Sequence, residues 1–268
     1  MKKILTMISV LALLFLSACG SAQTEPEASA AGTDYTVKLD TYNPADYGLD
    51  PANNENDPRV TVYNTGQTQT ESRIKTLNDT EECFDECEVA VYGKVLTTAN
   101  WDEDGDAHTI YHFQIEKSYK GEYKPGDIIT IRTYGGYYRK SRFLDAFNGA
   151  GWNKLPEDSP YRKMTREELD NVFTYMSYGN PMPKVGEELM VFLWEDPPYD
   201  KLYIDCNFSG RFHRNAEGQF ERWVPPYEPE FFYVGLKEGQ NPNEKFTFEE
   251  FDAKLEGLKK AEQDKEKE

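Results

Sequence analysis

Apolar and polar residues alternate with a period of two through much of the middle of the chain. From Glu88 to Leu96, Val89, Val91, Gly93 and Val95 share one face while Ala90, Tyr92, Lys94 and Leu96 share the other. Such alternation predicts a half-buried β-strand. It returns from Thr109 to Tyr119, where Tyr111, Phe113 and Ile115 fall on one side. A third strand is predicted from Ile128 to Tyr134, where Gly135-Gly136 stops it, and a fourth from Glu188 to Trp194. A fifth runs from Leu202 to Phe212, with Leu202, Ile204, Cys206 and Phe208 on one face. Asn215 to Gly218 reads as a hairpin turn into a last strand, Gln219 to Val224. Val91, Phe113, Ile131, Val191 and Ile204 are the expected core residues.

Helical spacing appears in three places. Asp79 to Cys87 reads as a short helix. Thr165 and Glu168 form a capping box, and Leu169, Val172, Phe173 and Met176 then recur as one helical face ended by Pro181 and Pro183. Thr247 and Glu250 make a second capping box ahead of Phe248, Phe251, Leu255 and Leu258, and after Lys259 the tail is solvated charge. The pattern lacks strand–helix alternation, which argues against the two α/β lobes of a transporter's substrate-binding lipoprotein. The expected fold is mainly β: a small closed OB-like antiparallel barrel with a helical insertion at 137–183 and a C-terminal helix.

The N-terminus follows a different logic. Lys2 and Lys3 precede an apolar run from Ile4 to Leu16, and Leu16-Ser17-Ala18-Cys19-Gly20 follows. This resembles a bacterial lipobox, in which the Cys sulfur takes a diacylglycerol and the chain is cut before it. Residues 1–18 are therefore expected to be a lipoprotein signal peptide, and Cys19 the lipidation site and palmitate carrier. Residues 19–57, rich in Ser, Ala, Gly, Asn, Asp and Pro, are expected to be a disordered tether, although Tyr35, Val37 and Leu39 alternate and allow one short strand. A domain at 58–235 and a C-terminal helix with charged tail at 236–268 complete the organisation. Two or three acyl chains hold a protein firmly on a membrane, so the expected location is the cell membrane, lipid-anchored and facing outside the cytoplasm.

Composition narrows the function. The 268 residues carry 48 acids against 30 Lys and Arg, a net charge of −18. A nucleic-acid partner wants a basic footprint, so none is expected. Aromatic residues make up 14% of the chain, far more than a solvated coil contains, so a folded domain is expected.

Four segments together carry a family resemblance: Glu88–Val95, Tyr111–Gly121, Gly126–Ile131 and Gly186–Leu193. Their strand endings resemble the netrin-like domain, the OB-fold module shared with the tissue inhibitors of metalloproteinases, over roughly residues 83–212. The resemblance implies the fold and little about function. The inhibitors act through a mature N-terminal Cys whose free amine reaches the enzyme's zinc. Cys19 is expected to be lipidated and lies far from the first barrel strand, so that mechanism transfers to no residue here.

The candidate chemistry is sparse. Cys83, Cys87 and Cys206 are disulfide candidates, and three readings stand: a bridge from the 79–87 helix to Cys206, a Cys-x₃-Cys metal site, or buried small apolar side chains. His108 and His112 would share a zinc only on a helix, because four residues of strand span about 13 Å. Asp102, Asp104 and Asp106 resemble a calcium loop, but Ala107 and Phe113 stand where such a loop needs Gly and Glu. No Gly-x-Ser-x-Gly elbow or phosphate loop is present. Neither a metal nor a cofactor is expected. The most unusual segment is Arg132 to Arg142, with four bases and three tyrosines in an acidic chain. Tyr137, Tyr138, Arg139 and Arg142 are expected to form an exposed ligand-binding patch for a protein or glycan. The expected function is a non-enzymatic binding or interaction module. The alternatives are an inhibitor of a surface or secreted hydrolase, working by loop insertion, and an enzyme of unrecognised type.

Overall fold

The computed structural model describes residues 32–50, 56–64, 77–103, 105–177, 181–197, 199–205, 210–222, 237–241, 243–265 and 267. Cys19 with the signal segment, and Cys206, lie outside the described residues.

Two short strands open the described chain, β1 (Asp34–Tyr35) and β2 (Val60–Asn64). Helix α1 (Thr80–Glu86) starts at Asp79, whose carboxylate accepts from the Glu82 amide at 2.9 Å. The long strands β3 (Val89–Glu103) and β4 (Asp106–Lys120) pair antiparallel, with register shifts near Ala90, Tyr92 and Val95 that bend the ribbon. β5 (Ile128–Tyr134) lies on the other edge of β4, followed by β6 (Gly136–Arg139), α2 (Lys140–Lys154), α3 (Arg166–Asp170) and β7 (Phe173–Ser177). The chain ends with β8 (Glu188–Glu195), β9 (Leu202–Asp205), β10 (Arg211–Arg214), β11 (Phe220–Arg222), β12 (Lys245–Phe246) and α4 (Phe248–Lys265).

The fold is mainly β, with a large, mostly antiparallel sheet and a C-terminal helix. Among the described residues that sheet runs β1-β5-β4-β3-β8-β10-β11-β12. β9 pairs with β8 antiparallel and with β5 parallel, so the pairings pass from β5 through β4, β3, β8 and β9 and return to β5. β2, β7 and β6 make a smaller sheet with β7 in the middle.

Two apolar clusters flank the main sheet. Val91, Phe113, Ile131 and Val191 are fully buried together with Ile115, Ile129 and Tyr203. Met190, Phe192, Phe212 and Phe220 lie on the opposite face, beneath Phe251 and Leu255 of α4. Ile204, expected in the core, is only half-buried; its neighbour Tyr203 points into the first cluster instead. The predicted strand 202–212 is two strands, β9 and β10, which pair with different neighbours.

Other expectations change. The helix predicted from Thr165 through Met176 stops at Asp170, and its second half is the strand β7. The capping box is present, but Phe173 and Met176 are buried by pairing between β2 and β6, which outweighs the helical spacing. Helix α2 starts at Arg139 without a side-chain cap, so no capping signal marks it in the sequence. The tether expected to reach residue 57 is packed over 32–50: Tyr42 and Leu49 are buried, and β1 pairs with β5.

Candidate functional site

The segment from Arg132 to Arg142 crosses from one sheet to the other. Gly135 and Gly136 make the turn, with φ of 101° and 127°. A Cβ on Gly136 would sit 2.5 Å from Asn100 Oδ1 and 2.7 Å from Thr109 Oγ1, so only glycine fits. The close approach lets Asn100 Oδ1 accept from the Tyr137 amide at 2.7 Å. The two tyrosines then alternate into two clusters. Tyr137 packs with Tyr42, Leu49 and Phe173, and Tyr138 with Ala107 and Met176.

The exposed patch expected from Tyr137, Tyr138, Arg139 and Arg142 is therefore not on the surface. Tyr137 and Tyr138 are 4% and 2% exposed. Arg139 Nε donates to Asp102 Oδ2 at 2.6 Å, and its guanidinium lies 4.2 Å from the centre of the Tyr42 ring. Tyr42 OH donates to the other Asp102 oxygen at 3.0 Å. Burial raises the Asp102 carboxyl above its ordinary value, with Arg139 opposing the shift. Arg142 alone is exposed, 3.2 Å from Asp40. The local excess of cations is an internal match to Asp102, and that acid is accordingly taken from the loop that suggested calcium.

A second buried polar group lies beside Tyr111 of the first cluster. Arg211 Nη1 lies 3.3 Å from Asp205 Oδ2, an ion pair without an aligned hydrogen bond, while Nη2 donates to Pro181 O at 2.5 Å. Burial pushes the Asp205 carboxyl up to about 6, against the pull of Arg211 and the Thr133 hydroxyl.

A third feature is open. The extended segment 36–41 is tied to the sheet on both sides of its middle. The Val37 amide donates to Thr130 Oγ1 at 2.8 Å, and Tyr42 exchanges two backbone hydrogen bonds with Asn100 at 2.9 and 2.8 Å. Between the ties Val37 and Leu39 pack against Trp101, Ile110 and Leu202, and a cleft of 460 Å³ remains beside them. Ile110 and Ala99 form the floor, Val37 and Leu39 one wall, and Thr36, Lys38, Thr41, Thr97 and His112 the rim. His112 Nδ1 is 2.9 Å from Thr97 Oγ1, and burial lowers its pKa, so the ring is neutral at pH 7. The alternation of Tyr35, Val37 and Leu39 is the one signal of this wall; its packing partners Trp101, Ile110 and Leu202 lie far along the chain.

The remaining sequence candidates separate. His108 lies under Trp101 and Tyr134, with ring centres 5.7 and 5.1 Å away, and no metal cluster of His, Cys, Asp and Glu occurs among the described residues. Cys83 and Cys87 are buried in the cluster under α4 and are not bridged to each other. Burial pushes both thiols up to about 12, which keeps them protonated and poor as nucleophiles or metal ligands. Among the described residues no helix is long and apolar enough to cross a membrane. No protein-family model, curated protein or solved structure matches the chain.

Proposed function

We propose that this protein is an extracytoplasmic lipoprotein, held on the membrane through Cys19, whose β domain is a non-enzymatic binding module. The lipobox around Cys19 supports the anchor. The observation that carries the binding reading is the cleft beneath residues 36–41, with an apolar floor and a rim of hydroxyls, the Lys38 amine and one neutral imidazole. Ligand sites are concave, mostly apolar and fitted with a few polar groups that fix orientation. The chemistry suits an amphipathic ligand, such as a glycan or a short peptide, that brings hydroxyl or amide groups to the threonines and an acceptor oxygen to Lys38.

We further read the ring β5–β4–β3–β8–β9 as a small closed barrel of the OB, netrin-like type. Support comes from the return of β9 to both β5 and β8, and from the helical segment carried between β5 and β8.

The test of binding is a thermal-shift screen of neutral glycans and short peptides. Ala99→Trp should fill the cleft, leave the ligand-free melting temperature within a few degrees, and abolish every shift seen with the wild type. Shifts that survive the filled cleft place binding elsewhere and end this reading.

A further inference from the structure

We infer that the cleft beside residues 36–41 takes an extended peptide, which pairs with the backbone of Lys38 and Asp40 as an added antiparallel β-strand and lays alternate apolar side chains on Ile110 and Ala99. This mode of binding rests on the cleft being the ligand site and names the class of ligand it holds.

Burial alternates residue by residue along this wall. Tyr35, Val37 and Leu39 are half-buried, and Thr36, Lys38 and Asp40 are exposed. A period of two marks extended backbone, in which the amide and carbonyl of successive residues point to opposite sides. The Val37 amide points at Thr130 on β5. The amides and carbonyls of Lys38 and Asp40 therefore point the other way. The cleft lies on that side, because its lining comes from the segment itself, β3 and β4. Among the described residues, the backbone of Lys38, Leu39, Asp40 and Thr41 makes no hydrogen bond. An extended segment with an unpaired row of donors and acceptors is a template for a further strand.

The other walls fit the same guest. The volume of 460 Å³ lies within the range of about 300–1,000 Å³ usual for ligand pockets. Ile110 and Ala99 offer an apolar floor to the side chains that point inward. The side chains that point outward meet Lys38 and Asp40, whose ion pair with Arg142 is exposed. Opposite charges facing each other across paired strands are favourable. An acid therefore belongs opposite Lys38 and a base opposite Asp40. In an antiparallel guest the base stands two residues before the acid. A glycan can fill the same volume, but it carries no row of amides and carbonyls at strand spacing.

Isothermal titration calorimetry of the full chain with acetyl-Val-Lys-Val-Glu-Val-amide, at up to about 1 mM, tests this pairing. Saturable one-to-one binding is expected. N-methylation of the Lys and Glu amides removes the donors that face Asp40 and Lys38 and should weaken binding at least tenfold. N-methylation of the central Val, whose amide faces away, should weaken it less than threefold. This contrast is read on the wild type and needs no variant to fold. No binding of the parent peptide, or equal losses from the two methylations, overturns strand addition. The cleft then still stands as the site if a neutral glycan shifts the melting temperature of the wild type and not of Ala99→Trp. Peptide binding that survives in a folded Ala99→Trp protein overturns both strand addition and the cleft.

Discussion

Asp205 Oδ2 and Arg211 Nη1 face each other 3.3 Å apart, with side-chain exposures of 3% and 6%. A carboxylate this deep is held by the Arg211 guanidinium and the Thr133 hydroxyl against the loss of its hydration, and desolvation wins: its pKa rises from 3.8 to about 6. The folded protein therefore binds more protons than the unfolded chain between pH 4 and 6. Stability falls as pH rises through that window. The expected outcome is that Asp205→Asn gains on the wild type as pH goes from 4 to 7, whatever its offset at either end. Urea denaturation across that range measures it, and a constant difference between the two proteins would show that Asp205 titrates normally.

His108 works in the opposite direction. Burial, with Arg132 adding to it, lowers its pKa from 6.5 to about 3. The folded state then binds fewer protons than the unfolded chain between those values, and stability is lost as pH falls below 6.5. The contribution is at most roughly 4–5 kcal/mol, from about 1.4 kcal/mol per pKa unit. His108→Phe keeps a ring between Trp101 and Tyr134 and should flatten the acid limb between pH 6.5 and 3. A variant that loses stability with acid as steeply as the wild type would mean that His108 is not held neutral.

The corrected role of the tyrosine–arginine segment is also testable. Asp102 has 1% side-chain exposure, so Arg139→Ala strands a buried charge. Removing one partner of such a pair costs about 3–5 kcal/mol, whereas an exposed pair contributes about 0–1 kcal/mol. The double change Asp102→Leu with Arg139→Met should recover most of the loss. Chemical denaturation of the three proteins gives both numbers. A single-variant cost below about 1 kcal/mol would mark the pair as solvated.

Much of the main sheet is legible in the sequence because successive residues of its strands meet one dry cluster or the other. Val91, Phe113, Ile131 and Val191 follow period two for that reason. The starts of α1 and α4 are legible because their caps are local: Asp79 reaches Glu82, and Thr247 and Glu250 reach each other. What escapes is non-local. Phe173 and Met176 are three apart, a spacing a helix face shares with a strand buried on both sides, and pairing with β2 and β6 decides it. The segment 32–50 reads as a tether because its few apolar residues find partners far along the chain. The Thr33 amide, for instance, donates to Asp127, 94 residues away. Four cations in an acidic chain read as a surface because nothing in the local pattern reveals that Asp102 is buried 37 residues before Arg139.

Helix α4 offers the clearest contrast between packing and charge. Phe251 is fully buried, with ring centres 4.9 Å from Phe212, 6.0 Å from Phe220 and 4.6 Å from Phe246. One turn face away, Asp252 accepts from Lys117 Nζ at 2.5 Å and from Tyr119 OH at 2.6 Å. Asp252 holds the helix to β4 and Phe251 holds it to β10, β11 and β12, and the two contacts differ in environment. The Lys117 side chain is 36% exposed, so water and salt screen its pair, and Lys117→Ala should cost about 1 kcal/mol or less. Phe251→Ala removes a ring from a closed aromatic cluster, leaves a cavity, and should cost about 3–5 kcal/mol. Raising the salt to 1 M, where the screening length falls to about 3 Å, should shrink the first cost and leave the second. Denaturant titrations of both variants at low and high salt separate the two. Equal costs, or a Phe251→Ala cost that salt erases, would show that charge rather than apolar packing docks this helix.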